Sequence, residues 1–164
     1  MQSEMKQVEF NLAVGFFNST NRFPERPALV VNDLTYSYEE LSKMSAVISE
    51  QIKELTTCFQ KQVVLLAHRS PTAYSAILGI LSTGGCYVPL HPEYPPERNF
   101  KILDQSGSSL IIVGNECLEA FENLLNLTNR KMTFILVGME DTGVYARNYP
   151  QHQFIFINSS LASL

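Results

Sequence analysis

The chain has 164 residues, 45% of them hydrophobic and 17% charged, which suits one globular domain with a real core and rules out a disordered or collagen-like chain. Twelve Lys and Arg against sixteen Asp and Glu leave a net charge of −4 with no basic run that could neutralise a line of phosphates, so no nucleic-acid-binding surface is expected. Apolar stretches such as Val63–Ala67 fall far short of the ~20 residues a membrane-spanning helix needs, and the start MQSEMKQ lacks the pattern of a secretory signal, so a soluble, cytoplasmic protein is expected.

Met5, Val8, Leu12 and Phe16 recur at spacings of three and four, which predicts an N-terminal helix with one apolar face. Ala28–Val31 and Leu34–Ser37 are short β-prone runs around Asn32-Asp33, two residue types that tolerate the positive φ of a tight hairpin turn. Ser37 stands three residues before Glu40, the spacing of a capping box. Leu41, Met44, Ile48, Ile52 and Leu55 then predict a helix from about Tyr38 to Leu55. Beyond it come continuous apolar runs separated by helical segments, the pattern of strands buried on both faces of a parallel sheet. Val63–Ala67 is the first strand. Ser70-Pro71 opens a helix with Tyr74, Ile77, Leu78 and Leu81 as its core-facing stripe, and Gly84 stops it. Gly85–Leu90 is the next strand, with Pro89 placing it at a sheet edge or strand end. Pro96–Ser106 reads as a helix with Phe100 and Leu103 inward and Gly107 as its stop. Ser109–Val113 follows as a strand, then an Asn115-capped helix bearing Leu118, Phe121 and Leu125, then Thr133–Val137 as a strand. The polar stretch from Gly138 to His152 reads as a surface loop, and Gln153–Ile157 as a final strand. The fold class is α/β: a largely parallel sheet flanked by helices, with an N-terminal helix and a β-hairpin.

Neither common phosphate cradle is present, and Gly84-Gly85 precedes a strand, the wrong polarity for holding phosphate on a helix N-terminus. His68, His91 and His152 belong to no metal-binding spacing, although His68 and His91 each follow a strand, and strand ends are where open α/β sheets place ligands. Ser70 and Ser82 lack the Gly-x-Ser-x-Gly turn that would expose a nucleophile. Glu39-Glu40 is explained by capping and the helix dipole. Cys58, Cys86 and Cys117 are odd in number and lack the close pairing of zinc sites, so reduced structural thiols are expected. No catalytic, cofactor-binding or metal-binding residue can be assigned from the residues alone.

Two stretches nevertheless resemble the adenylate-forming superfamily, in particular the amino-acid adenylation domains of nonribosomal peptide synthetases. Leu34-Thr-Tyr-Ser-Tyr-Glu-Glu-Leu41 is similar to that family's first core motif. Ile80-Leu-Ser-Thr-Gly-Gly-Cys-Tyr-Val-Pro-Leu90, continuing through His91-Pro-Glu-Tyr-Pro-Pro-Glu-Arg98 to Leu103-Asp-Gln-Ser106, resembles the second motif and its flank. Phe23–Leu29 and Arg69-Ser70 add weaker matches, and the coherent resemblance spans roughly residues 10 to 115. It implies a large N-terminal region of an enzyme that activates a carboxylic acid with ATP and Mg²⁺ to an acyl-adenylate, then passes the acyl group to the phosphopantetheine thiol of a carrier protein. The family's phosphate loop, acyl pocket and small C-terminal domain have no counterpart here, so residues 1–164 are expected to form a single incomplete domain, inactive alone. Its expected partners are the remainder of the domain, the carrier protein and, through an exposed sheet edge or apolar face, a second copy. Position 91, usually aspartate in the family, is histidine, and Cys86 replaces a commoner alanine and is expected to fill similar apolar space. A ligase charging a carrier protein with D-alanine, another acyl-adenylating ligase, and a non-catalytic scaffold or one half of a split enzyme remain the alternatives.

Overall fold

In the computed structural model, which describes residues 11–55 and 62–158, one asparagine sets where the first helix begins. Asn11 Oδ1 accepts the Ala13 N–H at 2.9 Å, while its Nδ2 donates to the Leu81 carbonyl at 2.8 Å. Helix α1 (Val14–Arg22) follows and packs through Phe16, whose ring lies 5.5 Å from that of Tyr38. Met5 and Val8 lie outside the described residues. Leu12 departs from the expected apolar face: it precedes the first helical turn, so helical spacing does not carry it inward, and it is 85% exposed.

Strands β1 (Pro27–Val31) and β2 (Leu34–Ser37) form an antiparallel hairpin. Asn32 and Asp33 both take positive φ, 51° and 61°, which matches the turn twist to the right-handed strand twist. Ser37 then enters α2 (Tyr38–Leu55) through a complete capping box, its N–H donating to Glu40 Oε2 at 2.7 Å and its Oγ accepting the Glu40 N–H at 3.2 Å. The Ser37 N–H on the carboxylate, with the Ser37 hydroxyl adding to it, holds Glu40 below the usual carboxylate range.

The remaining strands are β3 (Gln62–Leu66), β4 (Cys86–Leu90), β5 (Leu110–Gly114), β6 (Thr133–Val137) and β7 (Gln153–Ile157). They form one wholly parallel sheet in the order β4-β3-β5-β6-β7. Alternation along β3 sends Val63 and Leu65 to one face and Val64 and Leu66 to the other, with all four buried. On the first face they meet α2 and α3 (Pro71–Ser82); on the second they meet α4 (Pro96–Ser106), α5 (Leu118–Leu127) and the short α6 (Val144–Asn148). Each fully buried aliphatic side chain is worth about 1.5–3 kcal/mol, so this two-sided apolar sheet is the main stabilising element. Gly84 and Gly107, at φ of 79° and 65°, end α3 and α4 as their sequence positions predict. Pro89 does lie on an edge strand.

Three expectations fail on packing. Of the expected α3 stripe, Ile77 packs half-buried on the core but Tyr74 is 42% exposed, and the fully buried residues are instead Thr72, Ala73, Ser75, Ala76, Gly79 and Ile80. Ser45 and Ser49 of α2 are buried opposite, their hydroxyls satisfied by the Ser42 and Ala46 carbonyls, so small residues let the two helices approach closely. Asn115 caps nothing: it opens a 3₁₀ turn (Asn115–Cys117) before α5, and Leu118 is exposed while Phe121 and Leu125 are buried. The stretch from Gly138 to His152 is more than a polar loop. Its helix α6 and the residue that ends it lay Tyr145 and Tyr149 on the core, and their hydroxyls donate to Glu122 and Asn126. His152 is buried, with Nδ1 accepting the Met132 N–H at 3.3 Å, and burial lowers its pKa. Among the described residues no helix is long and apolar enough to cross a membrane.

Candidate functional site

Strand order fixes where a site would form. From β3 the chain moves outward to β4 with α3 on one face, then returns across β3 to β5 with α4 on the other. The loops after β3 and β5 therefore diverge at their C-terminal ends, and the crevice between them is the usual ligand position of an open parallel sheet.

The loop after β3 carries His68, Arg69 and Ser70. Ser70 is buried and caps α3, its Oγ accepting the Ala73 N–H at 3.2 Å. Arg69, exposed, takes a φ of 44°, in the left-handed region that costs a non-glycine residue energy. The structure brings His68 and His91 together: β3 and β4 are neighbours in register, and the two rings meet edge-on at 4.7 Å between centroids. The stack continues from His91 to Tyr94 at 5.1 Å and from Tyr94 to the Arg98 guanidinium at 3.9 Å. His152 lies elsewhere, behind β6.

Histidine at position 91 is accommodated through its backbone. The buried Asn99 side chain accepts the His91 N–H at 3.3 Å and donates to the His91 carbonyl at 2.8 Å, a two-point clamp on the end of β4. The ring contributes locally, since Nδ1 accepts the Glu93 N–H at 3.3 Å.

The loop after β5 supplies Glu116. Its Oε1 accepts from the His68 N–H at 2.9 Å and the Ser70 hydroxyl at 2.5 Å, so the carboxylate sits across the mouth of the crevice. Beside it a groove of about 310 Å³ runs between the starts of α4 and α5, bordered by Tyr94, Asn99, Glu116, Cys117 and Asn123. Burial, with the Glu116 charge adding to it, pushes the Cys117 thiol up to about 12, which keeps it protonated and inert. Cys86 is exposed at the start of β4, so it does not fill buried apolar space as expected, and Cys58 lies outside the described residues.

In this arrangement the side chains of Glu116, Ser70 and Asn99 hold loops in place. Ser70 spends its hydroxyl on Glu116 and on the helix end. Among the described residues no three His, Cys, Asp or Glu side chains come together as a metal site. The residues present at the crevice do not fit a nucleotide with its Mg²⁺, because the place an anion would take is filled by a carboxylate of the chain itself. Asn99 and Glu116 were not singled out by sequence reasoning. The one available signal was Gly114, ending an apolar strand two residues before a carboxylate.

A family model described as AMP-binding enzyme matches residues 16–152. One subunit of the plipastatin synthase of Bacillus subtilis is 39% identical over 101 residues, which is 62% of this chain and 3% of that protein. The HC-toxin synthetase of Cochliobolus carbonum is 38% identical over 89 residues, 54% of this chain and 2% of the relative. Among solved structures, the Vibrio cholerae adenylation domain AlmE, in complex with glycyl-adenosine-5'-phosphate, superposes with a TM-score of 0.78 at 24% identity and shares the fold. That match covers 90% of this chain and 28% of AlmE, so the chain spans a small part of each of these proteins. With the motif-bearing segments building β2, the capped start of α2, the α3 stop and the edge strand β4, and with the family match running over most of its length, the chain belongs to the AMP-binding enzymes.

Proposed function

We propose that this chain is a scaffold portion of an amino-acid adenylation domain of the kind found in nonribosomal peptide synthetases. In the complete enzyme a carboxylate oxygen of the amino acid attacks the α-phosphorus of ATP and pyrophosphate leaves. The thiolate of a carrier's phosphopantetheine arm then attacks the carbonyl carbon of the aminoacyl-adenylate, and AMP departs with the bonding electrons. Adenylation makes the second step possible by exchanging a poor leaving group for a good one. The crevice, occupied by the Glu116 carboxylate, does not fit ATP or Mg²⁺, and the part assigned to these residues is to form the doubly wound sheet on which the rest of the domain is built. The reading rests on one observation: both family motifs fall at the elements that shape this sheet, Leu34–Leu41 at the hairpin and capped helix, and Ile80–Leu90 at the helix stop and edge strand.

The test is amino-acid-dependent exchange of labelled pyrophosphate into ATP. The 164-residue chain is expected to show none, and a longer polypeptide containing it is expected to show exchange with one or a few amino acids. Exchange by the chain alone would overturn the scaffold assignment. Exchange by the longer polypeptide only with aryl or fatty acids would move the reading to another acyl-adenylating ligase, and D-alanine as sole substrate would move it to a D-alanine–carrier protein ligase. Absence of exchange with every acid would favour a non-catalytic protein. The partners of this reading are the remainder of the domain and the carrier protein. Self-association is proposed at β7, an edge strand whose segment Phe154-Ile155-Phe156 carries no charge and no proline, and light scattering of the isolated chain would show it.

A further inference from the structure

The crevice between β3 and β5 is where this topology would receive a ligand, and the chain fills it with its own carboxylate. Three features make that seat specific. The Ser70 hydroxyl donates outward to Glu116 while accepting the Ala73 N–H, so the carboxylate is coupled to the first turn of α3 through one oxygen. The His68 N–H, turned toward Glu116 just before the left-handed Arg69, gives a second donor to the same Oε1. Gly114 leaves the room: a Cβ there would lie 2.7 Å from Glu116 Cδ, so any larger residue at the end of β5 would drive the carboxylate out of its seat.

The consequence is mechanical. The hydrogen-bonded ladder between β3 and β5 holds the strands in register up to Leu66 and Val113, after which the two loops leave toward opposite faces. Glu116 spans this divergence over 48 residues of sequence. It thereby fixes the loop that carries His68, whose ring abuts His91, and it borders the groove between α4 and α5. We propose that Glu116 is a built-in anion that latches the loop after β3 to the loop after β5, and that taking its carboxylate away uncovers a seat for a small free carboxylate.

The experiment is amide hydrogen exchange and chemical-shift mapping by NMR on the 15N-labelled protein and two variants, Glu116→Ala and Gly114→Ala. In both variants the His68 amide is expected to exchange about tenfold faster or more, the loss of a bond to a charged acceptor, while interior amides of β3 and β5 keep their protection. Gly114→Ala retains Glu116 and only displaces it, so it carries the test if Glu116→Ala does not fold. Acetate should then slow His68 exchange in Glu116→Ala and shift the His68 and Ser70 amide signals saturably. Chloride at equal ionic strength should not, and acetate should leave the unsubstituted protein unchanged. Unaltered His68 exchange in both variants would overturn the latch. Acetate acting no differently from chloride, or acting equally on the unsubstituted protein, would overturn the seat.

Discussion

Gly79 tests whether α2 and α3 are held at their separation by the absence of a side chain. A Cβ added there would lie 2.9 Å from the Ser45 carbonyl oxygen and 3.1 and 3.2 Å from Cγ2 and Cβ of Ile48. The first neighbour is backbone, and the second is a β-branched side chain with little rotamer freedom in a helix, so neither can swing aside alone. The helices must move apart, and overpacking of this kind costs about 1–3 kcal/mol, with two close contacts placing Gly79→Ala in the upper half. Alanine returns up to about 1 kcal/mol through helix propensity, which leaves a net destabilisation of about 1–2 kcal/mol. For a chain of this size that lowers Tm by roughly 2–8 °C. Gly15→Ala is the control: nothing lies within 4 Å of its Cβ and the site is exposed near the start of α1, so a gain of about 0.5 kcal/mol is expected. Urea denaturation should show opposite shifts of midpoint for the two variants at equal m. A Gly79→Ala protein as stable as the unsubstituted one, or stabilised like Gly15→Ala, would refute the claim that this glycine sets the helix spacing.

Ser37→Ala removes one half of the capping box and should cost about 1 kcal/mol in urea denaturation. Because Glu40 is held below its usual pKa in the folded state, its contribution is present above the unfolded carboxylate range and is lost as pH falls through the folded value, so a Glu40→Gln variant should show a shallower acid limb. His152 behaves in the same direction from a different cause. Burial lowers its folded pKa, the unfolded chain binds the extra proton, and stability should decline as pH falls below about 6.5, a decline that His152→Gln should reduce. Asn99→Leu leaves the His91 N–H and carbonyl without their side-chain partner at the end of β4, and a loss of about 1–3 kcal/mol is expected; an unchanged urea midpoint would show that the clamp is dispensable.

What could be read from the residues alone follows from how local the signal is. The capping box, the Asn32-Asp33 turn and the glycine stops depend on backbone conformation within a few residues, and each appears where its spacing places it. The two-face burial of Val63–Leu66 was equally legible, because continuous apolar runs have no polar face to turn outward. The α3 stripe was legible only at Ile77. Counting large apolar residues favours Tyr74, Ile77, Leu78 and Leu81, yet two helices packed this closely select Ala73, Ala76 and Gly79. The pairing of His68 with His91 and the reach of Glu116 to Ser70 were hidden for a further reason: they follow from strand order, which no single segment encodes.

Position 91 shows how the end of β4 is held independently of the side chain that stands there. The clamp from Asn99 addresses the backbone of residue 91, both its N–H and its carbonyl, so the end of β4 is fixed whichever side chain stands there. The imidazole itself accepts the Glu93 N–H and adds contacts, an edge against His68 and a face toward Tyr94. Those contacts tie β4's turn to the loop after β3, which Glu116 ties in turn to the loop after β5. Three strand ends are thus joined by side chains where the backbone ladder stops. His91→Asp should therefore keep the clamp and the fold, while removing the ring contacts that connect the β4 turn to His68.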